Sequence, residues 1–199
     1  DLVRQIGGSR IEARTILPAN ADPHTFEPAP RDIAMVDDAA VVFLHGLDLD
    51  AWSETILENA SGDFTVVTVT DGIATTDFHG SDEDHDHDED DHHHHDIDPH
   101  VWFDPTRTSQ MVANIAAGLT AADPDGADGY ATRLAAYQAE LAALDAQIAE
   151  RIALIPEERR TIVTNHDALG YFADRYGLTI VGTVIPGLSV EAEPSAQEI

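Results

Sequence analysis

Between Asp77 and Pro105 the chain passes from a run of acid and histidine into an ordered-looking motif, Asp98-Pro99-His100-Val101-Trp102-Phe103-Asp104-Pro105. Residues 77–98 carry eleven Asp and Glu, no Arg, and seven of the eleven histidines: His79, His85, His87, His92, His93, His94 and His95. Such a density of charge stays in water, so the run reads as a loop between packed segments. Neutral imidazole is the commonest metal ligand, and mixing it with carboxylates favours a borderline divalent ion such as Zn²⁺. The seven histidines are therefore expected to act as auxiliary, low-affinity metal ligands. The plainer alternative is a solvated acidic loop that happens to carry histidine. A tag left from cloning is disfavoured, since it would lie at a terminus and would not alternate with Asp.

Acid is not confined to the loop. The 199 residues hold 38 acids against ten bases, a net charge of -28, and most of that excess lies outside residues 77–98. Every base is Arg. This surface repels nucleic acid and anionic lipid, and its self-repulsion would be relieved by counterions, as in a protein from a salt-loving source. There is no cysteine, which excludes disulfides and thiolate metal sites. No apolar run reaches the eighteen or so residues of a membrane span. The chain starts at Asp1 without a signal-peptide pattern, and reads as a segment of a longer product.

In order, Asp1–Ile6 reads as the end of an amphipathic helix closed by Gly7-Gly8. Ile11–Leu17 alternates as a strand would, and a loop follows to His24. Pro30 opens a short helix, Ala40–Leu44 is a buried parallel strand, Asp50–Asn59 a helix and Phe64–Val69 another strand. After the histidine run, Thr106–Ala121 has helical periodicity. Residues 125–155 repeat Leu134, Tyr137, Leu141, Leu144, Ile148 and Ile152 at three- and four-residue spacing, which gives a helix of ~45 Å at 1.5 Å per residue. Strand Thr161–Thr164, helix Ala168–Tyr176, strand Leu178–Ile185 and a helical opening at Glu193–Ile199 complete the pattern. Alternating strands and helices indicate an α/β fold with parallel sheets. The expected organisation is an N-terminal lobe over 1–122, a linker helix over 123–155, and an incomplete second lobe over 156–199.

Four histidines lie outside the run. His24 stands in Asp22-Pro23-His24-Thr25-Phe26-Glu27-Pro28, His100 in the motif above, and His166 in Thr164-Asn165-His166-Asp167 at the end of a strand, where open α/β sheets place ligands. A preceding Pro stiffens the first two loops. Glu27, Asp104 and Asp167, with Asp22 and Asp98, are the acids placed to orient these rings. A lone His beside Asp is more often a surface or capping residue, and His45 is read as structural, or as a neighbour that supports a ligand, rather than as a ligand itself. No HExxH or other compact zinc-enzyme motif occurs.

At these residues the sequence resembles the zinc-uptake solute-binding proteins of ABC transporters, the ZnuA-like group of a metal-binding lipoprotein family that also serves manganese. The resemblance rests on Leu2–Gly8, Asp22–Pro28, Gly46–Trp52, Asp98–Pro105 and Thr164–Phe172, which span the chain in family order. It implies two α/β lobes joined by one long rigid helix, with the metal in the cleft between them. His24 and His100 would be ligands from the first lobe and His166 from the second, where manganese-type relatives tend to carry Glu. Imidazole suits Zn²⁺ and carboxylate suits Mn²⁺, so Zn²⁺ is the expected cargo and Mn²⁺ the alternative. The family pattern continues past Ile199, where an acid often supplies a fourth ligand. The resemblance further implies an extracytoplasmic monomer, held to the membrane only through an N-terminal anchor, with an ABC permease and its ATPase as partners. It implies no enzymatic activity. A zinc hydrolase, built on three His and an open position, and a metal buffer working through the acidic run are the rival readings.

Overall fold

The computed structural model describes residues 1–77 and 97–184. The seven histidines between His79 and His95, and the helical opening expected at Glu193–Ile199, lie outside the described residues. Helix α1 (Leu2–Gly7) buries Ile6 completely. Helix α2 (Pro30–Asp37) begins where Pro fixes the first turn, and the Asp32 carboxylate accepts the Ala29 N–H at 2.7 Å. Strand β1 (Val41–Leu44), helix α3 (Ser53–Asn59) and strand β2 (Thr65–Thr68) form a βαβ unit whose strands pair in parallel, Val41 opposite Thr65. Helix α4 (Pro105–Ala122) has Pro105 in its first turn and Asp104 as its cap, accepting from the Thr106 N–H at 2.8 Å. Helix α5 (Ala127–Ala153) has 27 residues, a span of about 40 Å. A second βαβ unit follows: β3 (Thr161–Thr164), α6 (Gly170–Tyr176) and β4 (Thr179–Thr183), again parallel, with a bulge between Ile162 and Val163. Gly177 ends α6 at φ 69°, the left-handed conformation that only glycine enters without strain.

The α/β class with small parallel sheets is thus observed, and α5 is the element that reaches both sheets' helices. One face of the first sheet packs on α4, and the other on α2 and α3 through Val36, Val42 and Ile56. The larger core runs from Ile6 through Val101, Met111, Val112, Ile115 and Leu119 to Tyr130 and Leu141 on α5, and on to Tyr171 of α6. Gly118 allows α4 its close approach to the sheet, since a Cβ there would lie 2.8 Å from a Val67 methyl. At its far end α5 meets α6, where Arg175 donates two hydrogen bonds to Asp145, each 2.6 Å.

Two sequence expectations need correction. Ile11–Leu17 forms no strand. Among the described residues β1 pairs with β2, and Ile11–Leu17 lines a cavity of about 870 Å³ together with β1 instead of joining it in a ladder, while the Ala13 carbonyl accepts from Arg4. The helix expected from Asp50 begins at Ser53, because the Asp50 carboxylate accepts the backbone N–H groups of His45 and Gly46.

Candidate metal centre

Three loops converge beside the C-terminal ends of the parallel strands. The first is the His24 loop. The Asp22 carboxylate accepts the His24 N–H at 2.9 Å, Trp52 Nε1 donates to the Pro23 carbonyl at 3.0 Å, and Phe26 packs edge-on against Trp52. Both flanks of the histidine are thereby tied to the chain that follows β1. The second loop returns from the histidine run. Asp77 and Ile97 form an antiparallel bridge, and the Asp98 N–H donates to the Thr76 carbonyl at 3.0 Å, so the run is closed at its base. The third is the short turn after β3, which places His166 just beyond the strand end.

His100 is 3% exposed and Asp98 1%. One carboxylate oxygen of Asp98 accepts from the His100 backbone N–H at 2.9 Å and lies 2.6 Å from His100 Nδ1. A carboxylate can only accept here, so Nδ1 carries the proton and the lone pair sits on Nε2. That Nε2 lies 3.3 Å from Nε2 of His166. The His24 ring completes the group, with centroids 5.6 Å from His100 and 5.9 Å from His166. One nitrogen from each of the three falls within 4.8 Å of the others. Burial pushes the His24 imidazole below its ordinary value, reinforced by His100 and His166 and opposed by Asp22. The ring therefore stays neutral, able to offer a lone pair, to lower pH than a free histidine. Three imidazole nitrogens, one from each ring, brought this close together are suited to a divalent cation.

The acids divide differently from the sequence expectation. Asp98, directly bonded to His100, is the clearest orienting group. Asp104 is buried, but its carboxylate caps α4 and pairs with Arg107 and Arg175. Glu27 is exposed, and Asp167 is buried beside His166. Sequence reasoning missed two supports. Tyr171, fully buried on α6, donates to the Asp98 carbonyl at 2.7 Å and accepts the Thr76 N–H at 3.1 Å. The Trp102 ring lies edge-on to His100 at 5.2 Å and to His45 at 5.1 Å. The only sequence cue for the first was an aromatic residue on the inward face of a short helix, which reads as ordinary core.

A family model described as ZnuA, zinc-uptake complex component A periplasmic, matches residues 1–199. The manganese-binding lipoprotein MntA of Halalkalibacterium halodurans is 35% identical over 182 residues, 92% of this chain and 56% of that protein. The chain spans between 56% and 62% of the length of such curated relatives. Among solved structures, the crystal structure of ZnuA superposes with a TM-score of 0.82 at 29% identity, over 99% of this chain and 69% of the other. The periplasmic zinc binding protein TroA from Treponema pallidum gives 0.82 at 28% identity, over 100% and 67%.

Proposed function

This chain belongs to the ZnuA family of zinc-uptake complex component A periplasmic proteins, and from that premise we propose that it captures Zn²⁺ outside the cytoplasm for an ABC permease and its ATPase. The observation that carries the reading is the convergence of His24, His100 and His166 from three separate loops. In this reading the three are the ligands, held by residues 1–122 on one side and 156–199 on the other, with 123–155 as the rigid connection. Relatives named as lipoproteins support a membrane-anchored, extracytoplasmic location.

Zinc is favoured over manganese by the donor set. Imidazole nitrogens suit Zn²⁺, whereas Mn²⁺ is served by carboxylate, carbonyl and water. The 3.3 Å between the Nε2 atoms of His100 and His166 is also close to the ~3.3 Å edge of a tetrahedron with ~2.05 Å arms. Manganese is the second reading, because a relative named as manganese-binding is 35% identical. Isothermal titration with each ion decides between them. A single tight Zn²⁺ site that Mn²⁺ cannot displace, and that His100→Ala removes, is the expected result. No tight site for either ion, or one indifferent to His100→Ala, would overturn the proposal. A hydrolase would need a general base aimed at the open face of the metal, and Asp22, Asp98 and Asp104 are engaged with backbone or imidazole N–H groups or with arginines.

A further inference from the structure

His45 is the one histidine among the described residues that the metal reading leaves without a task. It closes β1, and the chain then turns through three successive residues of positive φ: Gly46 at 83°, Leu47 at 54° and Asp48 at 59°. Two of these are not glycine, and such backbone persists only where the surroundings over-determine it. The surroundings here are specific. The Asp50 carboxylate accepts the N–H groups of His45 and Gly46, and the Thr70 hydroxyl donates to the His45 carbonyl. These contacts fix the backbone on both sides of the His45 side chain.

That side chain points at the loop bearing His100. His45 Nε2 lies 2.8 Å from the Pro99 carbonyl. A carbonyl only accepts, so this nitrogen carries the proton. Pro99 is buried, and its carbonyl belongs to the peptide that leads directly into His100. The His45 ring also meets Trp102, whose ring in turn meets the His100 ring, so His100 is braced through both its backbone and its ring. We propose that His45 is a positioning residue for the metal: its Nε2–H holds the Pro99–His100 peptide, and thereby the direction of the His100 lone pair, without itself binding the ion. The proposal rests on the metal reading above.

Two variants separate the hydrogen bond from the ring. His45→Phe keeps a ring against Trp102 but cannot donate to Pro99, while His45→Gln places an amide N–H near the former Nε2 without the ring. Zn²⁺ affinity by chelator competition, the visible spectrum of the Co²⁺-loaded protein and the melting temperature of the metal-free protein are measured for each. The expected result is a tenfold or greater loss of Zn²⁺ affinity and weakened Co²⁺ bands in His45→Phe, with both largely restored in His45→Gln. Melting temperatures should not follow that order. Wild-type affinity and an unchanged Co²⁺ spectrum in His45→Phe would overturn the proposal, as would equal losses in both variants. If His45→Phe does not fold, a His45→Gln protein with wild-type affinity supports it and one with a tenfold loss overturns it. Should the wild-type protein bind no Zn²⁺ tightly, the metal reading itself has failed, which is a different outcome from tight binding that ignores residue 45.

Discussion

Replacing Asp98 with asparagine is expected to weaken metal binding while leaving the metal-free fold intact. The carboxylate is 1% exposed and serves His100 twice, at the backbone N–H and at Nδ1. Its other oxygen, Oδ2, is buried and makes no hydrogen bond among the described residues. A buried, half-satisfied carboxylate costs free energy in the metal-free state, and the return comes when a cation draws charge through the imidazole. Asparagine can still accept from the His100 N–H groups but has no charge to offer. Loss of such a carboxylate–histidine partner typically lowers metal affinity ~10–100-fold, or about 1.4–2.7 kcal/mol. In the metal-free protein the weaker hydrogen bonds and the relieved desolvation oppose each other, so unfolding should change by no more than ~1 kcal/mol. Chelator competition measures the first quantity, and urea unfolding of the stripped protein the second. An Asp98→Asn protein that binds Zn²⁺ as tightly as wild type would refute the reasoning. So would one that loses ~3 kcal/mol or more of metal-free stability, the signature of a purely structural carboxylate.

Single replacement of His24 or His166 by Ala should cost more than the ~100-fold expected of an orienting partner, and titration calorimetry would show the tight site gone rather than weakened. Burial holds His24 and His45 below the ordinary imidazole value of 6.5, so below that pH the unfolded chain binds protons that the folded chain does not. Metal-free stability should therefore rise with pH through this window and fall as pH drops below it, which thermal melts between pH 5 and ~7.5 would detect. Arg175 joins Asp145 on α5 to Asp104 at the cap of α4; Arg175→Ala should lose about 2 kcal/mol in urea unfolding, because Asp104 is 1% exposed and, beside its bonds to Thr106, would keep Arg107 as its one remaining cationic partner among the described residues. With a net charge of -28, the melting temperature should climb as KCl is raised toward molar concentrations, and a flat response would remove the inference of a salt-adapted surface.

The elements that were legible in the sequence carry a local cause. The helix at Pro30 is announced by proline in its first turn, and α4 by the helical periodicity of Thr106–Ala121. α5 is marked by apolar residues at three- and four-residue spacing over 27 positions. Ile11–Leu17 misleads because alternation describes which residues face inward and says nothing about whether a neighbouring strand is within reach. Here β1 pairs with β2 among the described residues, and Ile11–Leu17 lines a cavity with it instead. The helix expected over Asp50–Asn59 begins later for a related reason, since the Asp50 carboxylate is spent on the turn that follows β1.

The candidate site splits along the same line. Pro before His24 and before His100, and a strand end before His166, are local features, so the three rings could be singled out as spacings. What aims them is not local. His45 reaches Pro99 across 54 residues and Tyr171 reaches Asp98 across 73. Neither contact leaves a trace in the neighbourhood of either partner. The distinction bears on metal choice, because a set of three imidazoles prefers later first-row metals in general and does not select Zn²⁺ from among them. In the proposed reading, selection then depends on the angle at which the lone pairs meet, and the long-range contacts are what would hold that angle. Relatives in which this turn and the Tyr171 hydroxyl differ can therefore share the three histidines and still rank the same ions in another order.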